Sequence, residues 1–118
     1  MNKRQIGAQQ EVQAIYYLEQ HGVRIVTHNY RIRQGEIDII GYHKGYLVFI
    51  EVKYRKDNRL GNPAEAVDFR KQKKICAVAD YYRYTHGIGE YTAIRYDVIA
   101  ICGKEIAWYQ NAFAHVYR

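Results

Sequence analysis

Proline is nearly absent from this chain, with one residue in 118, and cysteine is scarce, with two. Low proline without any polar low-complexity tract argues against a disordered linker or tail; 48% hydrophobic and 25% charged residues describe a globular chain. Cys76 falls in a helical pattern and Cys102 in a strand, with no CxxC, which argues against a disulfide frame or a thiolate zinc site. The five histidines (His21, His28, His43, His86, His115) have no HxH or HxxxH spacing and read as solvated loop residues. Long apolar runs are missing as well. LVFI and VIAIC are strand-length, and MNKRQIGAQQ lacks the apolar core of a signal peptide, so the expectation is a reduced cytoplasmic protein with no membrane segment.

Acids are also in deficit: 12 Asp and Glu face 18 Lys and Arg, for a formal net charge of +6. That excess favours a polyanionic partner, nucleic acid first and an anionic membrane surface second, without saying anything about fold. At 118 residues the chain suits one domain on a single core, residues 1–118.

Helical spacing of Ile6, Val12, Ala14, Ile15 and Leu18, an Asn2/Gln5 capping box and a stop at Gly22 predict a helix from about Lys3 to Gln20. Residues 23–33, 34–41 and 46–54 are β-branched and aromatic between polar or glycine breaks, and predict three successive strands. In NPAE, Asn62 reads as an N-cap with Pro63 at the first helical position, starting a second helix that carries Ala66, Val67, Ile75, Val78, Ala79 and Tyr82 and ends before Gly87. A strand over 91–101, a Gly103-Lys104 turn, a short strand over 105–109 and a terminal helical turn complete the prediction. A long helix between the third and fourth strands lets those two run parallel, while tight links make the first three a meander. The fold class is therefore α/β, a mixed sheet flanked by helices.

Within GEIDIIGYHKGYLVFIEVK, strand alternation puts Glu36 and Asp38 on one face, with Ile37 and Ile39 on the other; Glu51 and Lys53 likewise share a face. A hairpin centred on Lys44-Gly45 pairs residues whose numbers sum to 89. Asp38 is then expected opposite Glu51, and Glu36 opposite Lys53 as a supporting residue. Like charges about 5 Å apart are destabilising unless neutralised, and a divalent cation is a natural neutraliser. Mg²⁺ (or Mn²⁺) takes one or two carboxylates plus a backbone carbonyl, such as that of Val52, with waters and phosphate oxygens; Lys53 beside it would steady a water or transition-state charge. Without a cation, Glu36 with Lys53 is a solvated cross-strand ion pair, and Asp38 and Glu51 simply face water.

Taken alone, Glu11 reads as a surface glutamate. FRKQKK (Phe69 to Lys74) makes a basic face including Lys71, Gln72 and Lys74, which reads equally as a solubilising face or as a phosphate contact, and YRKDNR adds Arg55 and Lys56, a basic rim that suits a polyanion. Tyr81, Tyr82 and Tyr84 read as core-margin residues rather than base-stacking platforms. Asp97 with Arg95, and Trp108, read as structural.

D…ExK on a meander (Asp38 with Glu51-Val52-Lys53) preceded by a helical Glu resembles the PD-(D/E)xK nucleases, the restriction-endonuclease-like superfamily that includes archaeal Holliday-junction resolvases. More closely, the chain resembles the YraN-like family of small bacterial proteins. That resemblance is carried by QEVQAIYYLEQHGVRIVTHNYR, GEIDII, LVFIEVKYR, GNPAEAVDFRKQKKI and RYDVIAI, in order over nearly the whole chain. It implies an αβββαβ core, a divalent metal held by Asp38 and Glu51, Lys53 as catalytic lysine, Glu11 as the helix-one acid of the site, and Lys71 or Gln72 at the basic or amide position of the next helix. Ile37 replaces the Pro of the PD pair, and Gln10 a Gly. The implied activity is DNA phosphodiester hydrolysis, on branched or recombination DNA; the alternatives are a non-catalytic nucleic-acid-binding module and an RNA-processing role. Cuts in both strands would require a homodimer.

Overall fold

The computed structural model describes residues 3–55 and 67–117. Its elements run α1 (Lys3–Gln20), β1 (Arg24–Ile32), β2 (Gly35–His43), β3 (Tyr46–Tyr54), α2 (Phe69–Thr85), β4 (Ile94–Cys102) and β5 (Glu105–Phe113). The strands form one sheet in the order β1-β2-β3-β4-β5, with β3 and β4 parallel and every other pair antiparallel. This is the mixed α/β architecture expected, and it is consistent with a restriction-endonuclease-like core.

Alternation along β3 sorts the core into two layers. Leu47 and Phe49 pack with Ile75, Val78, Ala79 and Tyr82 of α2. Val48 and Ile50 pack with Ala14 and Leu18 of α1. The helices thus cover opposite faces, and each fully buried Leu or Ile stabilises the fold by about 1.5–3 kcal/mol. Both sides of β3 are sealed until Glu51, where apolar alternation gives way to charge. Among the described residues no helix is long and apolar enough to cross a membrane, and Cys76 and Cys102 are free thiols.

The end of α1 follows the glycine signal. Val23 N–H donates to Leu18 O (2.9 Å) and Gly22 N–H to Glu19 O (3.2 Å), with Gly22 at φ 92°, a Schellman closure that also brings Val23 onto Leu18. The Lys44-Gly45 turn forms as expected, both residues at positive φ, and fixes Ile39↔Ile50 through His43↔Tyr46, every pair summing to 89. Gly41 is required by β1, because a Cβ there would lie 2.8 Å from Arg24 O and 2.9 Å from Val23 Cγ1.

Three expectations change. The helix carrying Ile75 to Tyr82 begins at Phe69: Asp68 is extended and its carboxylate accepts the Lys71 N–H at 2.8 Å, so Val67 precedes the helix. Asn62, Pro63, Glu65 and Ala66 lie outside the described residues. Instead of a terminal helical turn, β5 continues to Phe113, because the Asn111 N–H donates to Asp97 Oδ1 (2.9 Å) and holds the strand across a register shift. Finally, Ile37 and Ile39 do not share a face. Ile37 belongs to the α2 layer and Ile39 to the α1 layer, so alternation slips at Asp38, opposite Asn29, which holds φ 52°.

Candidate functional site

That slip coincides with a parting of strands. β2 and β3 pair from the Lys44 turn as far as Ile39↔Ile50 and then separate; β2 continues against β1 to Gly35, and β3 against β4 to Tyr54. Asp38 fills the gap in place of the missing ladder bond, its Oδ2 accepting the Val52 N–H at 2.8 Å. A carboxylate at a strand divergence is held by main chain and so pre-positioned.

Asp38 is electrostatically stressed. Burial first, then the charges of Glu51 and Glu36, push its pKa up to about 7, against the Val52 N–H and Lys71, which lower it. Glu51 is 6% exposed and its Oε1 lies 2.7 Å from Lys71 Nζ. Burial, reinforced by Lys71, depresses the Lys53 pKa. Burial also pulls on Lys71, but the contact with Glu51 outweighs it and the net shift is upward. Two acids and two lysines therefore meet where the sheet opens, and their charges shift Asp38, Lys53 and Lys71.

The placing of Glu36 opposite Lys53 is overturned. β2 has left β3 at that point, and Glu36 is paired across β1 with Arg31, whose Nε and Nη2 both donate to Oε2 (3.1 and 2.8 Å). Glu36 reaches Asp38 only through its field.

Glu11 is not a free surface acid. His28 Nδ1 lies 2.9 Å from its Oε1, and the Asn29 side-chain amide donates to Oε2 at 3.0 Å. Glu11, Asn29, Glu36, Asp38 and Val52 line one cleft of about 270 Å³ together with Gln10 and Arg31. His28 and Asn29 were missed by the reading of the sequence. The signal existed: a two-residue turn at Arg33-Gln34 pairs residues summing to 67, which sets Asn29 opposite Asp38. No Asn-Gly or Asp-Gly advertised that turn.

Arg55 sits beyond the cluster, close enough for its charge to depress Lys53 further, with its N–H bonded to Ile101 O. Gln72 donates to the Val67 carbonyl (2.9 Å). Lys74 is exposed on α2. Lys56 lies outside the described residues. Among the described residues no three Asp, Glu, His or Cys side chains are placed to hold one ion, so Glu11, Asp38 and Glu51 do not converge as a three-acid set. The donor chemistry that fits is narrower: two mutually repelling carboxylates, Glu51 buried and Asp38 half-buried, of the kind a Mg²⁺ ion shares with waters and phosphate oxygens.

Asp97 stands apart as a buried polar network on the α1 side. It is 0% exposed; Arg95 Nε and Nη2 donate to its two oxygens at 2.9 Å, Trp108 Nε1 donates to Oδ2 at 2.9 Å, and Arg95 Nη2 meets His43 Nδ1 at 3.0 Å. Asp97 and Arg95 are structural as read, Trp108 adds a hydrogen bond to its packing, and His43 is buried rather than solvated. Tyr82 is buried too, while Tyr81 and Tyr84 are exposed.

Fold and site together define a small single-sheet α/β protein with an acid–lysine cluster where two central strands part. Residues 10–101 match the model of the family described as Uncharacterised protein family UPF0102, and the chain belongs to that family. It is 43% identical over 113 residues to a UPF0102 protein of Lachnoclostridium phytofermentans, covering 96% of each chain. A UPF0102 protein of Photobacterium profundum is 43% identical, over 94% of this chain and 91% of that one. One from Cytophaga hutchinsonii is 46% identical, over 86% and 88%. The YraN-like resemblance is to this same family.

Proposed function

We propose that this protein is a metal-dependent nuclease that hydrolyses phosphodiester bonds in DNA, with Asp38 and Glu51 as the carboxylates that hold Mg²⁺ or Mn²⁺. The observation that carries the reading is the Asp38–Glu51 pair: Glu51 buried, Asp38 half-buried and held at the strand parting by the Val52 N–H, with Lys53 and Lys71 beside them. A bound divalent cation would polarise a phosphoryl oxygen and acidify water at that position. Asp38 and Glu51 fix where the phosphate approaches. Lys53, partly stripped of solvent, steadies a water or the charge that develops on the phosphate, where an ammonium counts for more than in bulk water. Lys71 moves from Glu51 toward the incoming phosphate. Glu11, clamped by His28 and Asn29, orients the cleft wall beside Asp38.

The test is a metal-dependent cleavage panel over linear, flapped and four-way DNA and structured RNA. Wild-type protein is expected to cut at least one DNA substrate with Mg²⁺ or Mn²⁺, and Lys53→Ala or Asp38→Asn to lower the rate by ~100-fold or more while remaining folded. Cleavage that survives both substitutions, or no cleavage of any DNA substrate, would sink the reading.

A second reading, a nucleic-acid-binding module without catalysis, is favoured by the Lys71 ammonium already bonded to Glu51. It forecasts salt-sensitive DNA binding with no cleavage anywhere on the panel.

A further inference from the structure

Beyond the catalytic cleft the surface is not uniform. Glu36 lines both that cleft and a second one of about 300 Å³, which it shares with Arg70, Lys71 and Lys74. Lys74 in turn lines a third, of about 410 Å³, with Lys73, Gln34 and Tyr117. The shared residues Glu36 and Lys74 make the three depressions neighbours, a series from Asp38 past the start of α2 to the Tyr117 ring, hereafter the groove.

The groove has the charge of a phosphate track. Arg70, Lys71, Lys73 and Lys74 line its second and third parts. The acids there are committed elsewhere, Glu36 to Arg31 and Asp68 to the Lys71 N–H. Its far end is a built platform. The tail after β5 is pinned to α2 by the Val116 N–H on Cys76 Sγ (3.3 Å) and by His115 Nε2, 3.5 Å from Asp80, and to β4 by His115 Nδ1, which meets the Tyr96 hydroxyl at 2.6 Å. Tyr117 then stands edge-on against His115, centroids 4.8 Å apart, and is 85% exposed. An aromatic face held open to solvent beside two lysines, in a depression within the ~300–1,000 Å³ range of small-ligand sites, has the chemistry that takes an unpaired base with its phosphates.

We infer that this groove binds a single-stranded DNA arm adjoining the site, with a base stacked on Tyr117 and the backbone on Lys73, Lys74 and Arg70. The inference rests on the nuclease reading for what happens at the Asp38 end, but not for the binding itself. A duplex with a single-stranded arm, rather than a blunt duplex, is then the substrate class. A duplex presents no free base faces to Tyr117; an arm does.

The test uses the full chain in EDTA, so that no cleavage occurs. Fluorescence anisotropy compares a blunt DNA hairpin with the same hairpin bearing a short tail, and a 2-aminopurine in the tail reports stacking. Wild-type protein is expected to prefer the tailed hairpin by roughly tenfold or more and to quench the 2-aminopurine. Tyr117→Ala should lose both effects without changing blunt-hairpin affinity, Tyr117→Phe should keep both, and Lys73→Gln with Lys74→Gln should weaken tailed binding. Equal affinity for tailed and blunt hairpins, binding of neither, or a preference that survives Tyr117→Ala would overturn the inference. If the tailed preference holds but no substrate is cut with Mg²⁺ or Mn²⁺, the groove stands and the nuclease reading fails; cleavage without the preference gives the converse.

Discussion

Asp38 concentrates the conflict between fold and function in one side chain. It serves the fold by accepting the Val52 N–H where the ladder opens, yet burial and the neighbouring Glu51 raise its pKa from an ordinary 3.8 to about 7. A carboxyl whose folded pKa exceeds its unfolded one favours the native state while protonated and opposes it once ionised. The penalty is absent below about pH 4, grows between pH 4 and 7, and is complete above 7. Asp38→Asn keeps an oxygen for the Val52 N–H and drops the charge. It should therefore raise stability at pH 8 by roughly 1–3 kcal/mol, an advantage that vanishes toward pH 4. Thermal melts across that range measure it. Excess Mn²⁺ at pH 8 should stabilise the wild type, by ~2.7 kcal/mol at 100 times Kd, and leave Asp38→Asn unmoved. If the variant is no more stable than wild type at pH 8, Asp38 is not under strain.

At the scale of elements, the central strands owe their alignment to two different kinds of signal. The Lys44-Gly45 turn was legible, and with it the register that brings Asp38 and Glu51 to neighbouring strands. What a pairing rule cannot reveal is where pairing stops. β2 leaves β3 after Ile39, so Glu36 answers to Arg31 and not to Lys53. The positive φ of Asn29 and the slip that sends Ile37 and Ile39 to opposite layers are products of tertiary context, invisible to a period-two pattern. Glu11 could be singled out only through family resemblance; its clamp by His28 and Asn29 depends on α1 packing beside β1. The end of β5 was likewise hidden, since it hangs on a long-range bond from Asn111 to Asp97. That bond makes Asp97 the joint between β4 and β5, and it also neutralises Arg95, which is 7% exposed. Asp97→Ala would strand the guanidinium and free both Trp108 Nε1 and the Asn111 N–H. Such a break should cost about 3–5 kcal/mol in urea unfolding. A loss below about 1 kcal/mol would mean that β5 is held by its apolar contacts alone.

For the molecule as a whole, the question is whether its +6 charge acts as a diffuse cloud or as a track. Arg70, Lys71, Lys73 and Lys74 crowd the start of α2, Lys71 on Glu51 itself, whereas Lys44 sits in the turn at the other end of β3, beyond a strand span from Tyr46 to Glu51 of roughly 17 Å. Counterion release separates the two cases, because only lysines that neutralise phosphates contribute to the slope of log K against log salt. With the tailed hairpin, Lys73→Gln and Lys74→Gln should each flatten that slope by about 0.7 if each contacts one phosphate of the single-stranded arm. Lys44→Gln removes the same formal charge and should leave the slope unchanged, since at 0.15 M salt the field of an exposed charge is largely screened beyond about 8 Å. Titrations of one labelled tailed hairpin in EDTA at several salt concentrations suffice for all three variants. Equal slopes for Lys44→Gln and Lys74→Gln would show the protein holding DNA by overall charge, leaving nothing to aim a phosphate at Asp38 and Glu51. Flattening confined to the α2 lysines would show that the charge is arranged to deliver the backbone to that pair.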